Sequence, residues 1–331
     1  MAQPQLEQFT KRGLAVALRA GGTPGVPVVP LPASNGVMLF NGQSGTEFDP
    51  IEREVDRPFF GGTPFAVGAK RAFIEGEFEL YPPATPGAAA TSDADCGVLL
   101  LPAGMTAVKN AVAKTTRYNP ISSAIAISDD YWWHAGLLKK VQAARHNITG
   151  LILEVGNRFR GNVRIQGDYT DVEEAALPAI VLPETVPVVA RADNTVTTIT
   201  TLPGGVAGAP LNVWAKSLAV DFGNQIQQKE YTEHKETGIT SRQPTWTLRV
   251  AKTSLADFDP WAVRDAGTLL TASLRLTQAA NIYSELGVRG QIEQINEVDI
   301  DGDYGWELSG RCIPSSAGGD EFYIEFGDAT P

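Results

Sequence analysis

Apolar and polar residues alternate along this chain in short runs rather than recurring every three or four positions. In 304–313, Tyr304, Trp306, Leu308, Gly310 and Cys312 fall on one side, and Glu307, Ser309 and Arg311 on the other. In 321–326, Phe322, Ile324 and Phe326 oppose Glu321 and Glu325. Earlier, Ala72, Ile74, Phe78 and Leu80 oppose Arg71, Glu75, Glu77 and Glu79, and Val163 and Ile165 oppose Arg160, Asn162, Arg164 and Gln166. A period of two is that of a pleated strand with one buried and one wet face. Four antiparallel strands are predicted from these runs, within a mainly β chain whose 33 glycines and 22 prolines leave little room for long helices.

Two short helices are expected. One has Asp259 as N-cap, Pro260 at the first helical position and Gly267 just past the end, with Trp261 and Val263 as apolar residues. The other runs over 93–101 and stops at Pro102. The element order repeats. Each half reads as a strand, a charged loop, a second strand opening at Lys70-Arg71 or Ser241-Arg242, a short helix, and three or four more strands. The halves close on 160–172 and 301–313, which share Gly167-Asp168-Tyr169 and Gly302-Asp303-Tyr304. Pro178, Pro183, Pro187, Pro203 and Gly204-Gly205 predict a linker crossing the surface. The expected division is a tail over 1–8, a first domain over 9–177, a linker and the start of the second domain over 178–210, and a second domain over 211–331.

The two charged loops are long for hairpin connections, which usually take two to five residues. The first, 50–68, contains Glu52, Arg53, Glu54, Asp56, Arg57, Phe59 and Phe60; mixed charge around adjacent aromatics predicts a projecting, docking arm. Its counterpart is 227–241.

Length and composition set bounds. The 331 residues, 43% apolar, suffice for about two ordinary cores. Cys96 and Cys312 have no metal-ligand or disulfide-framework spacing and are expected to be buried thiols. No leader pattern and no apolar run of spanning length occurs, so the chain reads as soluble and cytosolic in origin. A net charge of −11 argues against gripping nucleic acid. The acid is concentrated: residues 293–328 carry ten acidic side chains against Arg311 alone. Glu293, Glu297 and Asp299, with the row Glu75, Glu77 and Glu79, read first as solvated faces, and more specifically as a lining that repels a polyanion.

Candidate chemistry is sparse, and no catalytic, metal or cofactor residues are expected. His134, His146 and His234 have neither triad nor ligand spacing to one another. Alternation scatters Asp129, Asp130 and His134 over both faces of one strand. Trp132 and Trp133 would place one ring in the core and one at an interface. Asp299-Ile300-Asp301-Gly302-Asp303 opens like a calcium loop, but Tyr304 and Gly310 stand where a glycine and a bidentate glutamate are needed, so Asp301-Gly302 reads as a hairpin turn. A carboxylate dyad for glycoside hydrolysis needs two acids in unlike environments within a cleft.

Several segments together resemble the major tail tube proteins of long, non-contractile-tailed bacteriophages, in the version with two tandem tube domains. In the first half these are Lys11-Arg12-Gly13-Leu14-Ala15-Val16-Ala17-Leu18, Ala20-Gly21-Gly22-Thr23-Pro24, Glu54-Val55-Asp56-Arg57-Pro58-Phe59-Phe60-Gly61 and Val67-Gly68-Ala69-Lys70-Arg71. In the second they are Ala219-Val220-Asp221-Phe222-Gly223-Asn224 and Gly318-Gly319-Asp320-Glu321-Phe322-Tyr323-Ile324-Glu325-Phe326. The resemblance implies two β-sandwich or barrel domains, each with a short flanking helix and a long projecting hairpin loop. It implies a virion protein, assembled in the host cytoplasm, whose trimeric rings stack into a tube that guides DNA. Tape-measure, tail-terminator and distal tail proteins would be its other partners. Glu52 to Phe60 would then carry the contact between rings, and Glu75, Glu77, Glu79, Glu293, Glu297 and Asp299 would line the lumen. The competing expectation is a carbohydrate-binding β-sandwich protein of a phage or bacterial surface, with Trp132, Trp133 and Trp246 as stacking platforms.

Overall fold

The alternating runs fold as strands, and among the described residues the helices are three short segments. The computed structural model describes residues 12–19, 26–51, 65–83, 85–88, 96–182, 188–205, 207–232, 234–278 and 281–328. The first half contains β1 (Arg12–Leu18), α1 (Pro32–Asn35), β2 (Gly36–Val37), β3 (Phe40–Ile51), β4 (Ala66–Glu79), α2 (Gly97–Leu100), β5 (Met105–Asn110), β6 (Thr115–Pro120), β7 (Ser128–His134), β8 (Leu137–Glu154), β9 (Arg160–Tyr169) and β10 (Glu173–Glu174). The second contains β11 (Thr195–Leu202), β12 (Leu211–Val213), β13 (Ala215–Asp221), β14 (Asn224–Tyr231), β15 (His234–Arg242), β16 (Thr245–Ala251), α3 (Pro260–Asp265), β17 (Leu269–Thr277), β18 (Ile282–Gly290), β19 (Gln294–Ile300), β20 (Asp303–Arg311) and β21 (Phe322–Asp328).

The strands form a 12-stranded sheet, a 7-stranded sheet and a separate two-stranded ribbon, with antiparallel pairing throughout. The large sheet runs β19-β20-β16-β13-β8-β7-β1-β2, with β9, β4 and β3 carried on the other edge of β8. The smaller runs β12-β11-β17-β18-β21-β6-β5. The 18-residue β8 is the hub. One of its edges takes β7 along 137–144 and then β13 along 151–154, while the opposite edge takes β9. Its pairing with β9 shifts register around Ala143 and again around Gly150, where φ is 50° and 58°. Bulges of this kind let one long strand serve two differently oriented partners.

The two halves share both sheets. β8 pairs with β13, and β6 pairs with β21. Leu14, Ile74 and Phe78 belong to the same buried cluster as Trp246, Leu274 and Phe322. Ring contacts within it include Phe222–Phe322, 4.7 Å between centroids, and Tyr118–Phe326, 6.1 Å, the second of which joins the halves. The main core is therefore one continuous body of apolar side chains drawn from both halves.

Local signals agree with the fold in several places. Asp259 caps α3 by accepting from the amides of Trp261 and Ala262, and Gly267 follows with φ of 62°. Asp301 and Gly302, at φ of 55° and 96°, make the two-residue turn between β19 and β20 that favours such dihedrals. Within 178–210, expected as linker and start of the second domain, 195–202 form β11, paired along all eight residues with β17. The prolines and glycines around it hid a β-branched run, Thr195-Val196-Thr197-Thr198-Ile199-Thr200, that packs well on a pleated surface. The helix expected over 93–101 is described from Gly97 only. Cys96 and Cys312 are buried free thiols. No helix among the described residues is long and apolar enough to cross a membrane.

Candidate assembly surfaces

β3 and β4 pair from Phe40 opposite Glu77 to Ile51 opposite Ala66, but β9 covers β4 only over 71–79. Beyond Arg71, among the described residues, the two strands pair only with each other. This free ribbon carries Phe48, Ile51, Phe65 and Val67, all exposed, with Phe48 and Phe65 stacked at 5.8 Å. The expected docking residues Glu52, Arg53, Glu54, Asp56, Arg57, Phe59 and Phe60 lie outside the described residues. Ile51, Phe65 and Val67 fall within the span expected as the charged loop, 50–68, and no pattern singles out Phe48, just before it; what the sequence does not show is that both ends of that span are paired strand.

The counterpart loop at 227–241 is a paired hairpin, β14 with β15. Its base is tied to β8: the Asn224 amide nitrogen of the backbone donates to Asn147 (3.1 Å), and its side chain donates to the carbonyls of Ala103 (2.8 Å) and His146 (3.1 Å). Four residues on, Gln228 donates to the carboxylate of Asp168. Asn147 is level with Arg164 on β9, so β14 advances beside β9 from Arg164 toward Asp168. Burial raises the pKa of Asp168, and the bond from Gln228 opposes that rise. Asp168 stands opposite Arg71, where the free ribbon begins. Both hairpins therefore continue past Asp168 in the same direction.

The acidic row on β4 is matched arginine by arginine. Arg164 bridges Glu75 (3.2 Å) and Glu47 (2.5 Å), Arg160 bridges Glu77 (3.2 Å), and Arg158 meets Glu79, which also accepts from Tyr81. Glu79 is buried, so the reading of all three as a solvated face is corrected. Cross-strand placement opposite β9 provides the partners, which spacing along β4 does not reveal. Glu293, Glu297 and Asp299 are exposed on or beside the edge strand β19. Glu293 pairs with Arg311 (2.8 Å), Glu297 accepts from the phenol of Tyr304, and Asp299 accepts the backbone N–H of Gly302 (2.8 Å). Charges on an exposed edge discourage unwanted strand addition.

A second charge row crosses four strands of the smaller sheet. Arg275 on β17 stands opposite Glu285 on β18, Glu285 opposite Glu325 on β21, and Glu325 opposite Arg117 on β6. Each carboxylate takes one arginine and one tyrosine. Arg275 (2.6 Å) and Tyr323 (2.6 Å) donate to Glu285; Arg117 (2.5 Å) and Tyr283 (2.7 Å) donate to Glu325. Glu325, expected to be wet, is buried under these groups. Burial and the hydrogen bonds to glutamate push both tyrosine pKa values up.

Ser128, Asp130 and His146 also meet, across the bulge between β7 and β8. Ser128 Oγ lies 2.9 Å from His146 Nε2 and donates to Asp130 (2.8 Å), while His146 Nδ1 faces the carbonyl of Leu99 at 2.9 Å. In a nucleophilic triad the carboxylate holds the imidazole nitrogen remote from the serine. Here a backbone carbonyl has that place, and all three side chains are fully buried. The arrangement ties β7, β8 and the end of α2 together.

The tryptophans divide unexpectedly. Trp132 and Trp246 lie in the main core, and Trp133 packs in a small second cluster with Ala15, Tyr131 and Leu138. Trp214, which no pattern singled out, is 85% exposed beside a cleft of ≈ 480 Å³, and a separate cleft of ≈ 510 Å³ lies at the base of β15 around the Arg242–Glu321 ion pair (2.9 Å). Among the described residues no group of three or more His, Cys, Asp or Glu side chains is placed to hold a metal ion. Compared with protein-family models and with curated proteins, the chain matches none.

Proposed function

We propose that this chain is the structural subunit of a bacteriophage tail tube, two tandem tube-type domains that self-assemble into stacked rings and form the conduit for DNA. Three chains would complete a pseudo-sixfold ring. The observation that supports this reading best is the pair of hairpins running past Asp168 in one direction, the first with Phe48, Ile51, Phe65 and Val67 exposed. A two-stranded ribbon is marginal by itself in water, and Phe48, Ile51, Phe65 and Val67 on it remain exposed. A second copy would complete it. The matched charges at Glu75 and Glu77 and the acidic edge β19 are two surfaces whose described arginines are paired with carboxylates.

Negative-stain microscopy of purified protein over a range of concentrations tests the proposal. Rings and tubes that lengthen with concentration are expected, with three chains per ring by native mass; material that stays monodisperse at every concentration refutes it. The carbohydrate-binding alternative loses its platforms, because Trp132, Trp133 and Trp246 are 2%, 6% and 1% exposed.

A further inference from the structure

The two ends of β8 differ in kind. Six residues into β8, Gln142 stands opposite Asp168, the level past which both hairpins continue. Just past its far end, Val155 donates its backbone N–H to the carbonyl of Lys216 (2.8 Å), two residues from Trp214. Thirteen residues of strand at about 3.3 Å each hold these levels up to roughly 40 Å apart.

Trp214 sits where the backbone passes from β12 in the smaller sheet to β13 in the larger. Its carbonyl accepts from Ala251 (2.8 Å), so its backbone is anchored while its ring is 85% exposed. Val196, 52% exposed, stands beside it, and the adjacent cleft of ≈ 480 Å³ is walled by Val155, Val196, Val213 and Ala215. Tryptophan, with tyrosine and arginine, is enriched among the residues that dominate protein interfaces, and an anchored backbone lowers the ordering cost of using it.

We propose that Trp214 and this cleft form the socket for the apolar end of the β3–β4 ribbon of a second copy of the chain, received through Phe48, Ile51, Phe65 and Val67. The inference rests on the tube reading above and names the surface that its stacking contact uses. The occupant follows from the geometry. Among the described residues, ribbon and socket both expose apolar side chains, the socket with Thr195, Thr197 and Asn212 beside them, and they lie toward opposite ends of one strand, so they cannot meet within one chain. A contact between two unlike patches at opposite ends repeats from copy to copy without closing, which builds a stack. An isologous pairing would use one of them twice and stop at two layers.

The test uses full-length protein in two variants. Trp214→Glu spoils the socket and keeps the ribbon; Phe65→Asp with Val67→Asp spoils the ribbon and keeps the socket. All the substituted side chains are exposed, and far-UV circular dichroism with thermal melting confirms that each variant is folded. With wild-type protein forming tubes, each variant alone should stop at single rings, or need at least about tenfold more protein to lengthen. Mixed together they should form two-layer assemblies, because the sound ribbon of one fits the sound socket of the other. Trp214→Phe should still lengthen. Tubes from Trp214→Glu at the wild-type concentration, or no two-layer species in the mixture, overturn the socket while leaving the tube reading standing. Wild-type protein that never polymerises overturns the tube reading itself.

Discussion

Arg19 and Asp129 form a buried, two-pronged ion pair across β1 and β7, with Nε and Nη2 of Arg19 at 2.9 and 2.7 Å from the two carboxylate oxygens. The same carboxylate accepts the backbone N–H groups of Val28 (2.7 Å) and Ala143 (3.1 Å). One side chain thus holds the segment after β1 and the first bulge of β8, the bulge that prepares β8 for its second set of partners.

Removing one member of such a pair leaves a buried charge without compensation. Asp129→Asn should cost about 3–5 kcal/mol in urea unfolding. Arg71→Met, which breaks an exposed pair with Asp49 (2.9 Å), should cost under about 1 kcal/mol. Equal midpoint shifts for the two variants would contradict this account of Asp129.

The tyrosines of the glutamate rows should resist alkali. Tyr81, Tyr283 and Tyr323 have pKa values raised by burial first and by their glutamate bonds and charges next. A phenol in the unfolded chain ionises near about 10. With the folded value raised, the stabilisation is complete below that pH and declines as pH rises above it, toward the folded value. Absorbance titration at 295 nm should show these three of the eight tyrosines silent until the chain unfolds in alkali. Ionisation of all eight near pH 10 in folded protein would show that the bonds to glutamate are absent.

Tyr323 and Tyr283 lie flat across glycines of the neighbouring strands. A Cβ at Gly287 would fall 2.2 Å from the Tyr323 ring, and one at Gly327 would fall 2.3 Å from the Tyr283 ring. Gly287→Ala should therefore displace Tyr323 from Glu285 and destabilise the fold by about 1–3 kcal/mol. The double variant Gly287→Ala with Tyr323→Ala removes the clash, so it should be less destabilised than the sum of its parts; strict additivity in a denaturation cycle would argue against the contact.

Capping of α3 offers a smaller effect. Asp259→Ala removes the acceptor for Trp261 and Ala262 and should cost about 1 kcal/mol. Because Trp261 meets Trp306 edge to face at 5.5 Å, near-ultraviolet circular dichroism should change with it. An unaltered near-ultraviolet spectrum would separate the cap from that packing.

Alternation along the chain was enough to place Phe322, Ile324 and Phe326 inward, to anticipate the turn at Asp301 and Gly302, and to find the cap at Asp259. Each of these depends on neighbours a few residues away: the pleat sends successive side chains to opposite faces, and a cap or turn is satisfied by the next two or three amides. Partner choice is different. Arg117 and Glu325 are 208 residues apart, yet they complete one row, and nothing local tells a glutamate on β4 whether an arginine or water will face it. The same holds for β8, whose two sets of partners depend on bulges at Ala143 and Gly150, and for Trp214, whose exposure follows from where the backbone passes between sheets. Face is a local property of the pleated backbone, whereas neighbour, burial of charge and the ends left uncovered arise only when distant strands pair.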